Sequence, residues 1–170
     1  ESNVTEETLT YNLATMHPIT LKCEPDEKFT YKGANLLVDG MTGDDNYRSG
    51  RYIGIYGQDF DATIDLQEPK EISSVSLGTY LVPGDYIFGL TGLEVYGSED
   101  GKTYSKIASK AIPTLEKGSK NNVLKRDTVN FDKTKTRYVQ IIGKNTPVLP
   151  KWHPGAGKQT YLFLDEIAIN

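Results

Sequence analysis

The chain has few of the residues from which most catalytic and redox sites are built. Its 170 residues include one cysteine, two histidines, one tryptophan and two methionines. A single cysteine, Cys23, excludes an internal disulfide, and its place in an alternating segment predicts a small buried hydrophobe. Neither histidine lies in an H-E-x-x-H motif or at a recognisable spacing from a serine or cysteine. The sequence therefore gives no support to a metalloprotease or a nucleophilic triad.

Long apolar runs and an excess of basic residues are also missing. No window of 18 apolar residues exists, so nothing is predicted to span or insert into a membrane. No signal peptide is found, although a chain that begins at Glu1 could have lost one. The formal net charge is −4 and the basic residues are scattered, which disfavours nucleic acid and anionic lipid as partners. A neutral partner, such as a sugar, suits this charge best.

Glycine and tyrosine are abundant instead, with 16 Gly and 11 Tyr. No ten-residue stretch has clean helical periodicity, and turn signals recur at the spacing expected of a sandwich. The Asp100-Gly101 pair, between two alternating runs, predicts a hairpin. Residues 127–131 and 137–142 are predicted to be two separate strands. Residues 1–8 are predicted to be a polar tether, and residues 9–170 a single all-β domain, a β-sandwich of jelly-roll type.

Residues 33–57 are the most informative stretch. An apolar run at 36–38, predicted to be strand-like, leads to Asp39-Gly40, then to a loop rich in carboxylate and amide oxygens at 44–46, and then to an alternating segment. Calcium takes six to eight such oxygens. The spacing is not that of an EF-hand, since Met41 and Gly43 stand where ligands should be. On chemistry alone, a solvated acidic turn explains this loop as well as a metal site does.

Two more carboxylates lie in the last predicted strand. Residues 161–169 are apolar on both faces except at Asp165 and Glu166. Adjacent carboxylates in a strand fit for burial must be paired, hydrogen-bonded or bound to metal. No run of basic residues nearby would neutralise these carboxylates, whereas a cation shared with the Asp39 loop would neutralise them. The alternative is an Asp-Gly turn and a capped strand end.

The order of these motifs resembles a known family. L-x-D-G followed by a polar loop and an aromatic is similar to the calcium loop of the discoidin, or F5/8 type C, superfamily, which includes carbohydrate-binding modules of bacterial glycoside hydrolases. The E-V-Y-G-S-x-D-G-x-x-Y hairpin and the R-Y-V-Q-I run add to the likeness. The DGMTGDDNYRSGRYIGIYGQDFDATIDL and WHPGAGKQTYLFLDEIAI segments resemble the C-terminal modules of bacterial chitobiases (β-hexosaminidases). The likeness covers most of the chain, from about Ala14 to Asn170.

This resemblance implies a discoidin-like jelly-roll β-sandwich with a structural calcium ion. Asp39 and Glu166 match side-chain ligands of the family, the loop near Asp44 matches further ligands, and carbonyl groups near Leu36 complete the set. Such a calcium would be saturated by protein oxygens, with little open coordination for catalysis. The resemblance also implies an upstream catalytic domain and a periplasmic, cell-surface or secreted location.

Aromatic side chains in the predicted loops are candidate ligand contacts. Sugars have apolar C–H faces and rings of hydroxyls, so they call for an aromatic platform beside planar polar groups. The candidates are Trp152, His153, Tyr52, Arg48, Tyr86 and Phe88. Tyr52 could equally be a core residue, Trp152 could plug one end of the sandwich, and His153 could be a satisfied structural histidine.

Two functions remain open on the sequence. One is a non-catalytic carbohydrate-binding module for an N-acetylhexosamine or galactose-type glycan, which holds its enzyme near the substrate by tethering. The other is a structural domain that packs on its catalytic partner and binds no sugar. A third interpretation is a lipid-binding or adhesion domain with Ile87 and Phe88 as apolar spikes. Catalysis is not predicted, because the carboxylates at 59, 61 and 65 alternate as a solvated strand face would.

Overall fold

The computed structural model describes residues 11–170, and the tether predicted at residues 1–8 lies outside them. The strands are β1 (Ile19–Leu21), β2 (Ile53–Tyr56), β3 (Phe60–Leu81), β4 (Leu90–Ser98), β5 (Ser105–Ala111), β6 (Val123–Asn145) and β7 (Tyr161–Ile169). Short 3₁₀ helices cover Glu27–Phe29, Gly33–Val38 and Pro83–Asp85. No helix in the described chain is long and apolar enough to cross a membrane. The all-β prediction is confirmed.

The strands form one continuous antiparallel sheet that folds into two layers. Its order is β2-β7-β3-β6-β4-β5, with β1 beside β3. β3 and β6 pair along most of their lengths of 22 and 23 residues, with irregularities between Asp65 and Lys70 and between Ile72 and Ser74. β1 and β4 pair with these long strands on one side of the irregularities, and β7 pairs on the other. Each long strand therefore contributes to both layers of an open sandwich.

The core lies between the layers. The inward positions of the first half of β3 are all 0% exposed, namely Phe60, Ala62, Ile64 and Leu66. The layers press closely on one another: a Cβ added to Gly143 in one layer would lie 3.3 Å from the Leu77 side chain in the other. Cys23 is buried at the edge of this core, as predicted.

The outward face of the same half of β3 carries the predicted row of carboxylates. Asp65 accepts two hydrogen bonds from Arg137, at 2.9 and 3.1 Å, and Asp61 accepts one from Gln140 at 3.0 Å. Both partners lie on the neighbouring strand β6. The alternation therefore marks a polar strand face with cross-strand partners, in agreement with the prediction.

Two local predictions need correction. The apolar run at 36–38, expected to be strand-like, belongs to the 3₁₀ helix Gly33–Val38, and all three of its side chains are buried. Over three residues, periodicity cannot separate a buried strand from a buried helical turn. The segments predicted separately at 127–131 and 137–142 are parts of one strand, β6. The chain between them bends through a change of register and not through a turn.

A β-bulge on β7 sets the position of Asp165 and Glu166. Leu77 pairs with Ile167 and Thr79 pairs with Leu164, so the two carboxylates face the single residue Gly78. A Cβ at Gly78 would lie 2.0 Å from Asp165 Oδ1 and 2.7 Å from an Arg126 nitrogen. Glycine is needed here because any side chain would displace the pair formed by Asp165 and Arg126.

Gly78→Ala is expected to lower the free energy of unfolding by about 1–3 kcal/mol, the usual cost of forcing an extra carbon into a packed site. Urea denaturation followed by tryptophan fluorescence measures the change. Gly84→Ala is the matched control, because its Cβ would meet no atom within 4 Å. Equal stability of the two variants would show that the bulge tolerates a side chain at position 78.

Candidate functional site

An aromatic groove of about 660 Å³ opens where β2 ends and β7 begins. Three loop segments and the first residues of β7 form its walls. The side chains that define it are Phe29, Tyr47, Arg48, Asp85, Tyr86 and Tyr161. The antiparallel pairing of Tyr56 with Tyr161 brings these segments to one end of the sandwich.

The floor of the groove is Phe163, which is 1% exposed. Its ring centroid lies 4.8 Å from that of Phe29 and 4.8 Å from that of Tyr47, and both contacts are edge-to-face. Gly54 on β2 makes room for this packing, since a Cβ there would lie 2.8 Å from the Phe163 ring and 2.8 Å from Phe29 Cβ. The rings are therefore held in place before any ligand arrives.

Polar groups stand around this aromatic surface in fixed positions. The Tyr47 hydroxyl donates to Asp85 Oδ2 at 2.9 Å, and the Tyr161 hydroxyl donates to Asp26 Oδ2 at 2.9 Å. Burial, followed by the hydrogen bond to Asp26, raises the pKa of Tyr161 to about 12. The Arg48 guanidinium lies 5.3 Å from the Tyr47 ring centroid. The groove can therefore stack an apolar ring face and hydrogen-bond the hydroxyls at its rim.

Arg48 and Tyr86 are the two predicted ligand contacts that the structure brings to this groove. Arg48 is exposed, whereas Tyr86 is half-buried. The backbone of Tyr86 has φ +64°, at the end of the 3₁₀ helix Pro83–Asp85. Its ring packs edge-on against His153 at 5.3 Å, which turns one edge of the tyrosine toward the groove wall.

Tyr52 and Phe88 are buried in the structure, so their prediction as ligand contacts is wrong. Tyr52 is 0% exposed, and its hydroxyl donates to the Asp44 carbonyl at 2.6 Å. Phe88 is 2% exposed and Ile87 is 1% exposed. The interpretation of Ile87 and Phe88 as apolar spikes for lipid is therefore also wrong. Both side chains turn inward, where burial of their apolar surface stabilises the fold.

The loop that contains Trp152 and His153 lies beside the groove and not in it. His153 is 6% exposed, and Gly155 N–H donates to its Nδ1 at 2.9 Å. Nε2 therefore carries the proton and donates to the Pro83 carbonyl at 2.7 Å. With both nitrogens occupied, His153 fixes the Pro83 turn and has no nitrogen left for a ligand. Trp152 is half-buried against Phe88.

Five aromatic residues that line the groove were not among the predicted contacts: Phe29, Tyr31, Tyr47, Tyr161 and Phe163. Tyr47 lies between acidic and basic residues in the loop at 44–48, and an aromatic ring in so polar a loop is a usable signal. Tyr161 begins an apolar strand, and only its pairing with the last residue of β2 shows that it lies at the end of the sandwich where the groove opens.

The Asp39 loop and β7 meet at a pair of neighbouring carboxyl groups. Glu166 is 2% exposed, and its Oε1 accepts from Gly40 N–H at 3.0 Å. Its Oε2 is buried and has no partner. Burial, with the neighbouring charges of Asp39 and Asp165, raises the pKa of Glu166 to about 9, against a smaller opposing effect of Gly40 N–H. This carboxyl needs either a proton or a cation.

The buried carboxyl group of Asp165 is stabilised differently from that of Glu166. Its Oδ1 lies 3.4 Å from Arg126 Nη2, and its Oδ2 accepts from Gly43 N–H at 2.7 Å. The expectation that no basic residue serves these carboxylates is therefore wrong for Asp165, because β6 supplies Arg126 from 39 residues away in sequence. Asp165 and Glu166 together accept hydrogen bonds from both ends of the segment 40–43 and hold it against β7.

The other two predicted metal ligands are placed differently. The Asp44 carboxylate accepts from Asn46 N–H at 3.0 Å in a local turn, and its carbonyl accepts from Tyr52. Across residues 11–170, no group of three or more His, Cys, Asp or Glu side chains is arranged to hold a metal. Asp44 therefore does not join Asp39 and Glu166 as a third side-chain ligand. Leu36 has its side chain in the core, which leaves only its carbonyl for a cation.

The fold and the groove define a jelly-roll domain with a ligand-sized aromatic cleft at one end. Residues 22–162 match the F5/8 type C domain family. The chain therefore belongs to this family, and the discoidin-like fold class is confirmed. No curated protein matches the chain.

Solved structures of low sequence identity share the fold. CpGH89CBM32-5 from Clostridium perfringens, in complex with GalNAc-β-1,3-galactose, has a TM-score of 0.56 at 19% identity, over 89% of this chain and 93% of its own. The lectin domain of lectinolysin, complexed with Lewis B antigen, has a TM-score of 0.59 at 19% identity, over 96% and 98%. A fucose-binding module of Streptococcus pneumoniae has a TM-score of 0.55 at 16% identity, over 94% of each chain.

Without calcium, the stability of the protein is expected to fall as the pH rises from about 4.5 toward 9 through the Glu166 carboxyl. The folded chain holds this proton up to a pKa of about 9, whereas the ordinary value is 4.5. Between these values the folded state binds more protons than the unfolded state, so raising the pH favours unfolding by up to about 1.4 kcal/mol per pH unit.

Urea denaturation in EDTA across this pH range, for the wild type and Glu166→Gln, isolates the effect as the difference between the two proteins. The amide keeps the shape and cannot ionise, so its stability should lack this part of the pH dependence. Glu71→Gln, at an exposed position, is the control and should follow the wild type. A parallel course for all three proteins would contradict the raised pKa.

Proposed function

We propose that this domain is a non-catalytic carbohydrate-binding module and that the aromatic groove is its sugar site. The observation that carries the proposal is the arrangement at the groove mouth. The Tyr47 ring packs on Phe163, its hydroxyl is fixed by Asp85, and the Arg48 guanidinium lies beside it. An apolar face next to fixed planar polar groups matches a sugar ring, which has a C–H face and a rim of hydroxyls.

The glycans in the related structures support a sugar ligand. One relative was solved with GalNAc-β-1,3-galactose and another with Lewis B antigen. For this chain we propose an N-acetylhexosamine or galactose-type glycan. We also propose that the domain is an accessory module of a glycoside hydrolase of the chitobiase (β-hexosaminidase) type, with its catalytic domain upstream. It would then act in the periplasm, at the cell surface or after secretion.

A tethering role fits the chemistry of the groove. Glycoside hydrolysis needs two carboxyl groups with separate acid and base or nucleophile roles. Among the described residues that line the groove, Asp85 is the one carboxylate, and the Tyr47 hydroxyl already donates to it. Binding alone would raise the local concentration of glycan around the attached enzyme.

Tyr47→Ala is expected to weaken sugar binding about tenfold, because it removes one stacking face, equivalent to roughly 1.4 kcal/mol. Titration calorimetry with galactose, N-acetylglucosamine and GalNAc-β-1,3-galactose measures it, and the wild-type Kd should lie at about 0.1–1 mM for so small a contact. Tyr11→Ala is the matched control, since Tyr11 is 74% exposed and lies outside the groove.

Two results would count against the sugar site in the groove. If Tyr47→Ala binds as the wild type does while folded, the ligand lies elsewhere on the domain. If the folded wild type binds none of the three sugars in a titration up to the solubility limit, the proposal fails. A structural domain that packs on its catalytic partner then becomes the better account.

We propose further that a calcium ion links the Asp39 loop to β7. Asp39 and Glu166 would supply side-chain oxygens, and the carbonyl of Leu36 would supply a backbone oxygen. The buried Oε2 of Glu166 supports the proposal, because it has no hydrogen-bond partner and a bound cation would stabilise its charge. Bound calcium would neutralise the neighbouring carboxylates and hold the loop that leads to Tyr47 and Arg48.

Calcium at 100 times its Kd is expected to raise the free energy of unfolding by about 2.7 kcal/mol relative to EDTA. Asp39→Asn should lose most of this gain, because a neutral amide is a poorer calcium ligand than a carboxylate. Asp45→Asn is the control, at an exposed position of the same loop. Thermal denaturation with and without calcium tests the three proteins, and an equal response of Asp39→Asn and the wild type would remove Asp39 from the site.

A further inference from the structure

The proposed sugar site continues beyond the groove in both directions. At one end, Lys28 also lines a hollow of about 420 Å³, whose wall contains Tyr56 and Gln58. At the other end, Tyr31 also lines a hollow of about 540 Å³, which Lys32 and Arg51 border. Each flanking hollow therefore adjoins the central groove through one shared residue, Lys28 or Tyr31. The three adjoining hollows are called the cleft below.

A row of aromatic rings runs along one side of this cleft. The ring centroids of Tyr56 and Tyr161 are 4.7 Å apart, those of Tyr161 and Phe29 are 6.0 Å apart, and those of Phe29 and Tyr47 are 6.1 Å apart. Rings at such spacing present a continuous apolar strip. The strip begins in one flanking hollow and ends in the central groove.

The aromatic residues at the two ends are not explained by packing. Tyr56 is 42% exposed and Tyr31 is 45% exposed. A tyrosine fully committed to the core would bury most of its ring, as Tyr52 does at 0% exposure. Tyr56 therefore offers ring surface to one flanking hollow, and Tyr31 offers ring surface to the central groove and to the other flanking hollow.

Planar polar groups accompany the outer ring at the Tyr56 end. The Gln58 side chain accepts from Glu24 N–H at 3.4 Å and donates to the Glu24 carbonyl at 3.3 Å. The amide is therefore fixed beside Tyr56 in the same hollow. This repeats the plan of the central groove, where a ring lies next to a hydrogen-bonded polar group.

We propose that the cleft is an extended site for a linear oligosaccharide of three or more sugar units. One unit lies on Tyr56, one in the central groove and one on Tyr31. This inference rests on the proposed sugar-binding function and adds the class of ligand: the interior of a glycan chain, and not only a single terminal sugar. The unit on Tyr56 gains a stacking contact that a monosaccharide in the central groove cannot reach, and the unit beyond Tyr31 gains the part of that ring that lines the neighbouring hollow.

The test is a comparison of chain lengths on the intact domain. Titration calorimetry is carried out with N-acetylglucosamine and its β-1,4 oligomers of up to six units, and with galactose and GalNAc-β-1,3-galactose. Affinity is expected to rise about tenfold for each additional unit that reaches an outer ring. Tyr56→Ala should lose about tenfold for the longest oligomer that binds and leave the monosaccharide Kd unchanged, because Tyr56 lines the flanking hollow and not the central groove. Tyr31 lines the central groove as well, so Tyr31→Ala should lose more affinity for the longest oligomer than for the monosaccharide.

Tyr11→Ala again serves as the control and should behave as the wild type with every ligand. An unchanged monosaccharide Kd in Tyr56→Ala also shows that this variant is folded, and circular dichroism checks the fold of Tyr31→Ala. Equal affinity for monosaccharides and oligomers overturns the extended cleft and leaves the central sugar site intact. An affinity that rises with chain length equally in both variants and the wild type also overturns it. The rise then comes only from the larger number of sugar units that can enter the central groove. Absence of binding by any of these sugars overturns the sugar site and the extended cleft together.

Discussion

Two adjacent carboxyl groups on β7 hold the loop on which the candidate site depends. Asp165 accepts from Gly43 N–H and pairs with Arg126, while Glu166 accepts from Gly40 N–H. The same loop then runs on to Tyr47 and Arg48, which form one wall of the groove. Because both anchors are charged or protonated groups away from water, the shape of the ligand wall depends on how their charge is balanced.

Much of the fold follows from periodicity in the sequence. The closing strand at 161–169, the hairpin around Asp100-Gly101 and the alternating polar face at 59–65 all lie where the pattern predicts them. These features depend on residues close in sequence, so local pattern is enough. The length of β3 and β6 was not predictable in the same way. Their continuity depends on bulges, which leave no strong local signal.

The candidate site was predicted less well, because it depends on register and on distant partners. Tyr52 and Tyr56 are four residues apart near the same strand, yet one is in the core and the other is exposed. Tyr52 precedes β2 and is covered by the loop at 43–44, where its hydroxyl donates to the Asp44 carbonyl, and its ring stacks on Tyr80. Sequence alone does not give these contacts. Arg126 likewise reaches Asp165 only through the fold. The Asp39–Glu166 pair was predictable because buried carboxylates are conspicuous in an apolar strand.

β7 also sets the distance between the groove and the first described residues of the chain. Tyr161 at its first position borders the groove, whereas Ile169 at its last position bonds to Asn12 and Leu13, where the described chain begins. A strand of nine residues separates these points by about 27 Å. Residues 12 and 13 therefore lie beside the end of β7 that is farther from the groove. Under the proposed function, a glycan in the groove would lie at the other end of β7 from residues 12 and 13, so the hydrogen bonds that join these residues to Ile169 would not touch it.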